Sequence, residues 1–259
     1  GLVLDAYWTL NGQKVGKSTA ITYERTEIRG DPEVHMQLQI ASGYFEDGTL
    51  ALEDQSNFYK IKPKRLIIAT GAGEKSLTFE NNDLPGVYGA GAVQTLMNVH
   101  GVEPGKRVLM VGSGNIGLIV SYQLRQAGVD VVALVEAAPK VGGYLVHAAK
   151  LRRAGVPILT RHTILRAVGT EYVEGADVAQ VDSSWKPIAG TERRIDCDVI
   201  CLAVGLTPLA DVLWQAGCQM VYVPALGGHV PVRDHSMRTS NPRVFVAGDA
   251  GGVEEASSA

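Results

Sequence analysis

Val108-Leu109-Met110-Val111-Gly112-Ser113-Gly114-Asn115-Ile116-Gly117 is the stretch that decides the fold. Four consecutive apolar residues read as a strand buried on both faces. The chain then enters G-x-G-x-x-G. From Asn115 to Ala127 apolar residues recur at Ile116, Ile119, Val120 and Leu124, the spacing of one helical face. Gly128 stands where a C′ glycine closes a helix. Val129 to Val135 is a second apolar strand. Tyr144 to Ala154 is a second helical segment with Gly155 after it, and Val156-Pro157-Ile158-Leu159 is a third strand. The order β-α-β-α-β predicts a parallel sheet with right-handed crossovers.

A G-x-G-x-x-G alone carries little weight in a chain with 30 glycines. Between a strand and a helix of a βαβ unit it is a dinucleotide fingerprint. Gly112 permits the tight turn, Gly114 lets a pyrophosphate approach the backbone, and Gly117 lets helix and strand pack closely. The helix start offers N–H groups and the positive end of its dipole to the phosphates. The cofactor site therefore comprises Gly112, Ser113, Gly114, Asn115, Ile116 and Gly117. Nineteen residues beyond Gly117, Glu136 ends the second strand, where a carboxylate accepts hydrogen bonds from a ribose diol. A 2′-phosphate would meet that charge at close range, so NAD is expected over NADP; Lys140 is the one nearby cation that argues otherwise.

Outward from this unit the pattern changes. The first sixty residues read as strands and turns without a helix: Leu2-Val3-Leu4, Ala20 to Tyr23 and the alternating Val34 to Ile40, with turn signals at Asn11-Gly12 and Asp47-Gly48. Arg65 to Gly71 and Asp198 to Gly205 are apolar strands, each ending Ala-x-Gly after a stretch of polar strands. Leu84-Pro85-Gly86 is a turn, Ala90 to His100 a helix, and Glu103-Pro104-Gly105 a linker. The echo suggests two similar nucleotide-binding domains, the front of the first one absent. Composition agrees with a folded protein: 259 residues, 46% hydrophobic and 20% charged. The formal net charge of -3 leaves no basic field for a nucleic acid. Val108 to Leu124, nearly uncharged, holds too many Gly, Ser, Asn and Gln residues for a membrane span. The chain shows no signal peptide, and three Cys without framework spacing suggest a cytoplasmic location.

The chain resembles the pyridine-nucleotide-disulfide-reductase superfamily of flavoproteins with two dinucleotide-binding domains. Asn82-Asp83-Leu84-Pro85-Gly86-Val87-Tyr88, Gly91-Ala92-Val93-Gln94 and Pro104-Gly105-Lys106-Arg107-Val108 are most similar to sarcosine oxidase alpha subunits and related amine or opine dehydrogenases. The resemblance covers nearly the whole chain. It implies FAD near Thr70 and Gly71, and a second FAD motif in Thr239 to Asp249. There Gly248 and Asp249 end an apolar strand, and Asp249 meets the ribityl chain. Ala203-Val204-Gly205-Leu206-Thr207-Pro208 matches the A-x-G-x-x-P turn leaving the NAD domain, so Gly205 joins the cofactor set. The family's first G-x-G-x-x-G, which holds the FAD pyrophosphate, would precede Gly1. The expectation is thus a fragment, incomplete and inactive by itself, with FAD held by the full-length protein.

The expected fold class is α/β. A Rossmann-like NAD-binding domain with a three-layer parallel sheet and a β-meander spans 102–208. It is inserted in an incomplete FAD-binding domain of the same type, 1–101 with the return segment 209–259. The resemblance implies hydride exchange between nicotinamide and flavin, in a complex that oxidises a small amine or imino acid, with partner subunits or self-association. Two alternatives stay open: a non-catalytic NAD-binding or structural subunit, and an NADH-dependent reductase feeding ferredoxin or a thiol carrier. No C-x-x-C is present; Cys197 and Cys201, four apart, are placed on one strand face, and with Cys218 read as small hydrophobes. The six His show no metal spacing, His229 and His235 read as structural or surface residues, and no catalytic side chain is assigned. Hydride transfer needs none, because the cofactors carry that chemistry.

Overall fold

The computed structural model describes residues 6–8, 19–28, 31–38, 44–46, 48–53 and 58–254. The chain divides into two compact units, Glu74–Gly205 and Gly1–Gly73 with Leu206–Ala259.

Glu74–Gly205 is built on a five-stranded parallel sheet. Its order is Ile158–Thr160, Asp130–Glu136, Arg107–Val111, Val199–Leu202 and Val87–Gly89. Every pairing is parallel, with Val108 opposite Val131, Val199 opposite Val108 and Val87 opposite Ile200. The helices Ala90–Asn98, Asn115–Gln126 and Leu145–Arg153 supply Val93, Leu118, Leu124 and Leu151 to one face. On the other face lies an antiparallel meander of His162–Val168, Gly175–Gln180 and Arg193–Ile195. Residues of Arg107–Val111 alternate between these layers: Val108 and Met110 join the helices, Leu109 and Val111 the meander. A strand covered on both sides must be apolar throughout, which explains the uninterrupted run.

The pairing of Arg107–Val111 with Asp130–Glu136 slips at one point, where Val108 opposes Val131 but Leu109 opposes Ala133. Val132 is the extra residue. Both Val132 and Ala133 consequently pack toward the meander, and Leu134 returns to the helices. The bulge reverses the alternation for the rest of the strand.

This unit begins at Glu74 rather than at the expected Val102, and ends at Gly205 rather than Pro208. The reason is Val87–Gly89, three residues that pair with Val199–Leu202 as the sheet's edge, with Ala90 and Val93 of the next helix buried in the same core. Glu74 belongs with them: its carboxylate accepts a 2.7 Å hydrogen bond from the Gly91 N–H at the start of that helix, where Gly89 offers no side-chain cap.

The other unit contains the parallel pair Leu66–Ile68 and Val244–Val246, the apolar strands expected before Gly71 and before Gly248. Ile68, Leu213, Val244, Val246 and Ala250 form its core. Ala6–Trp8, Thr19–Ile28 and Asp31–Leu38 form one antiparallel sheet, Tyr44–Glu46, Thr49–Glu53 and Phe58–Ile61 another. The expected strand Leu2-Val3-Leu4 and the turn at Asn11-Gly12 lie outside the described residues. Gly48, at φ +75°, lies between Tyr44–Glu46 and Thr49–Glu53 as the turn signal predicts.

The cysteines are buried and free. Cys197 and Cys201 do not share a face. The strand starts only at Val199, so the two-residue period does not reach Cys197, which packs with the meander while Cys201 packs with the helices.

Leu124 is fully buried between helix and sheet. Leu124→Ala is expected to destabilise the chain by about 2–5 kcal/mol, and Leu124→Met by less than about 1.5 kcal/mol. Urea unfolding followed by circular dichroism checks both values.

Candidate nucleotide sites

The Gly112–Gly117 turn joins the central strand to the Asn115–Gln126 helix. Gly112 has φ +104°, and a Cβ there would lie 2.3 Å from the Ala203 carbonyl oxygen. A Cβ on Gly117 would lie 2.2 Å from the Gly112 carbonyl oxygen. Neither position accepts a side chain. At Gly114 a Cβ would meet nothing within 4 Å. That space is open, and it adjoins a helix start with no side-chain cap and no acidic residue in its first turn. The cradle suits a diphosphate by space and by sign. Asn115 and Ile116 form the first helical turn. Ile116 is exposed, unlike Leu118, Val120 and Leu124, so it lies at the rim and not on the packed face that its spacing suggested.

Glu136 ends its strand beside this turn. One carboxylate oxygen, Oε2, accepts the Ser113 N–H at 2.8 Å and the Ser113 hydroxyl at 2.6 Å; the other, Oε1, accepts the Ala138 N–H at 2.8 Å. The segment after Glu136 crosses back over the glycine turn. The Gly142 N–H donates to Ser113 Oγ at 3.0 Å, the Gly143 N–H to the Ser113 carbonyl at 2.8 Å, and the Tyr144 N–H to Asn115 Oδ1 at 2.8 Å. A Cβ on Gly143 would stand 2.8 Å from the Asn115 nitrogen, so this strap also needs glycine. Its far side borders an open cleft of about 370 Å³ lined by Lys140, Gly143, Arg152 and Thr160, among others. Lys140 is therefore not the only cation nearby: Arg152 lines the same cleft from the next helix. Sequence reasoning missed the strap, though the pair Gly142-Gly143, a few residues past Glu136, was its visible trace.

Gly205 lies two residues beyond Ala203, whose carbonyl abuts Gly112 and whose N–H donates to the Val111 carbonyl at 2.7 Å. Gly205 itself has φ +120°, and its carbonyl accepts the Lys75 N–H at 2.9 Å.

In the other unit, register brings the second group of residues together. Val244, Phe245 and Val246 pair with Leu66, Ile67 and Ile68, and the Ala247 N–H continues the ladder to the Ile68 carbonyl at 2.9 Å. Thr70 and Gly71 thus leave one strand end while Gly248 and Asp249 leave its parallel neighbour, the edge where open α/β sheets place ligands. Gly71 and Gly248 have φ +73° and +64° with open space around both. Thr70 Oγ1 donates to the Leu209 carbonyl at 2.6 Å. Asp249 lies in the first turn of a 3-10 segment, Gly248–Gly251, whose last carbonyl accepts from the Arg233 guanidinium.

Burial pushes the Cys197 thiol up to about 12 and raises that of Cys201 as well, chiefly by desolvation. Neither is a thiolate at neutral pH. Among the described residues no group of three or more His, Cys, Asp or Glu is placed to hold a metal, and no helix is long and apolar enough to cross a membrane.

Fold and turn together define a dinucleotide-binding α/β protein. The chain belongs to the pyridine nucleotide-disulphide oxidoreductase family, whose description matches residues 6–259. It is an oxidoreductase family, and its members use FAD. An opine oxidase polypeptide of Rhizobium meliloti (strain 1021) is 29% identical over 80% of this chain and 48% of that protein. The sarcosine oxidase alpha chain of Corynebacterium sp. (strain P-1) is 26% identical over 80% of this chain and 21% of that protein. The chain thus spans about half or less of these relatives. The T. acidophilum thioredoxin reductase structure shares the fold, with a TM-score of 0.64 at 23% identity over 83% of this chain and 66% of that one.

Two outcomes check the site's geometry. Gly117→Ala is expected to lower stability by several kcal/mol, because its Cβ meets backbone. Gly114→Ala puts alanine at the helix N-cap and should cost only about 0.5–1 kcal/mol, yet weaken nucleotide binding; thermal unfolding and calorimetry separate the two. The Cys197 and Cys201 thiols should stay inert to a disulfide reagent at pH 8 until the chain unfolds. The sign of the pH effect follows: above the ordinary thiol range the unfolded chain loses protons that the folded chain keeps, so stability declines as pH rises.

Proposed function

We propose that Glu74–Gly205 binds NAD(H) and that the unit carrying Thr70, Gly71, Gly248 and Asp249 contributes to an FAD site. The observation that carries this is the division of labour among three glycines: two are filled to contact by backbone, and the one between them is open toward an uncapped helix start. When bound, nicotinamide and flavin supply the hydride exchange. The chain's own residues bind and orient. Gly114 and the helix start hold the diphosphate, and Glu136 accepts a ribose hydroxyl. Gly205 shapes the turn beside Ala203, and Asp249 addresses the ribityl hydroxyls.

At the level of the whole protein, the relatives' names support oxidation of a small amine or imino acid within a complex of several subunits. Steady-state NADH oxidation by the full-length protein with an artificial acceptor tests turnover; binding without turnover would favour a non-catalytic NAD-binding role instead.

Lys140 and Arg152 in the cleft favour a second reading, NADP(H), since two cations there suit a 2′-phosphate. Calorimetry on the chain decides it. NADH is expected to bind more tightly than NADPH. Glu136→Ala should weaken NADH by about tenfold or more, the equivalent of roughly 1.5–3 kcal/mol for hydrogen bonds to a charged group, and strengthen NADPH. Tighter NADPH binding by the unsubstituted chain would reverse the assignment.

A further inference from the structure

We infer that Ser113 is a positioning residue that sets the choice between NAD(H) and NADP(H) through Glu136; this rests on the nucleotide site proposed above. The G-x-G-x-x-G fingerprint asks nothing of a side chain at its second position. Here that side chain is fully buried and polar; among the described residues the other buried polar side chains are Ser121 and Thr239.

A hydroxyl has one proton to give. The Gly142 N–H at 3.0 Å can only donate to Ser113 Oγ, so the Ser113 proton goes to Glu136 Oε2 at 2.6 Å. The direction of every bond in the cluster is fixed by this. Glu136 then receives three donors: the Ser113 N–H and O–H on Oε2, and the Ala138 N–H on Oε1. A carboxylate has about four acceptor positions. The one left, on Oε1, takes a single ribose hydroxyl. A 2′-phosphate needs donors instead, and the N–H groups of Ser113, Ala138 and Gly142 are all engaged, which leaves it the side chains of Lys140 and Arg152 that line the cleft. Selectivity thus comes from a saturated cluster as well as from the charge on Glu136.

Removing the Ser113 hydroxyl undoes both parts. Glu136 loses one of the two bonds that anchor Oε2, and the Gly142 N–H loses its acceptor and becomes available to a phosphate. Titration calorimetry of the whole chain with NADH and with NADPH is the test, on the unsubstituted protein, Ser113→Ala and Ser113→Cys. The cysteine keeps the volume and supplies only a weak donor. Ser113→Ala is expected to weaken NADH at least fivefold while NADPH is unchanged or tightened, and Ser113→Cys should shift the ratio in the same direction. A residue that merely supports the fold would weaken both nucleotides by one factor, and that result overturns the inference. So does an unchanged ratio in both variants, or a cysteine variant with the unsubstituted protein's selectivity, which would make volume the cause. If Ser113→Ala does not fold, the cysteine variant decides alone. Failure of the unsubstituted chain to bind either nucleotide would instead remove the underlying site, a result visible before any substitution is made.

Discussion

The approach of Gly117 to the Gly112 carbonyl is the contact on which the rest of Glu74–Gly205 depends. With no side chain at either residue, the Asn115–Gln126 helix starts directly against the end of the central strand; a Cβ on Gly117 would sit 2.2 Å from that carbonyl. Close packing here fixes three other things. The Ala203 strand end comes against Gly112 from the neighbouring strand. The helix start points its N–H groups into the open space at Gly114. Leu118, Val120 and Leu124 lie on the sheet's helix side, where each is buried.

The second constraint is the bulge at Val132. Counting alternately from Val131, which packs with the helices, an unbulged strand would put Glu136 on the meander side. One extra residue returns Leu134, and with it Glu136, to the helix side, where the glycine turn lies. The carboxylate then meets the Ser113 N–H and hydroxyl. A local irregularity in one strand pair thus decides which chemistry the strand end presents, a recurrent use of bulges beside functional sites.

Much of this was legible because the signals are local. Uninterrupted apolar runs, glycines after helices and the 3.6-residue period lie within a few residues of one another, and they place Arg107–Val111, Asn115–Gln126, Asp130–Glu136 and Leu145–Arg153 within a residue or two of where they occur. What escaped depends on distant partners. Val87–Gly89 is three residues long and becomes a strand only through Val199–Leu202, so the boundary read from sequence falls too late. The bulge leaves no mark in an all-apolar run, because Val132 and Ala133 suit either face. Cys197 lies outside the strand whose period was applied to it. Ser113 is recognisable by its place in the motif, while the work of its hydroxyl appears only when Glu136 and Gly142 arrive from elsewhere in the chain.

The sheet edge that carries Thr70 and Asp249 raises a different physical problem. Leu66–Ile68 and Val244–Val246 are parallel neighbours, yet the whole of Glu74–Gly205 intervenes between them in sequence. Closing a loop of that length in a flexible chain is entropically unfavourable, although the penalty grows only with the logarithm of length. The structure removes most of it. The Lys75 N–H donates to the Gly205 carbonyl at 2.9 Å, so the inserted unit, once folded, holds its own two ends side by side. Ala72–Glu74 then pairs with Leu206–Pro208, and the Leu209 N–H reaches the Gly71 carbonyl at 2.9 Å. From there the two strands are only a few residues from meeting. A folded insertion with adjacent ends behaves as a short connection, and this lets Thr70, Gly71, Gly248 and Asp249, drawn from either side of the insertion, share one sheet edge.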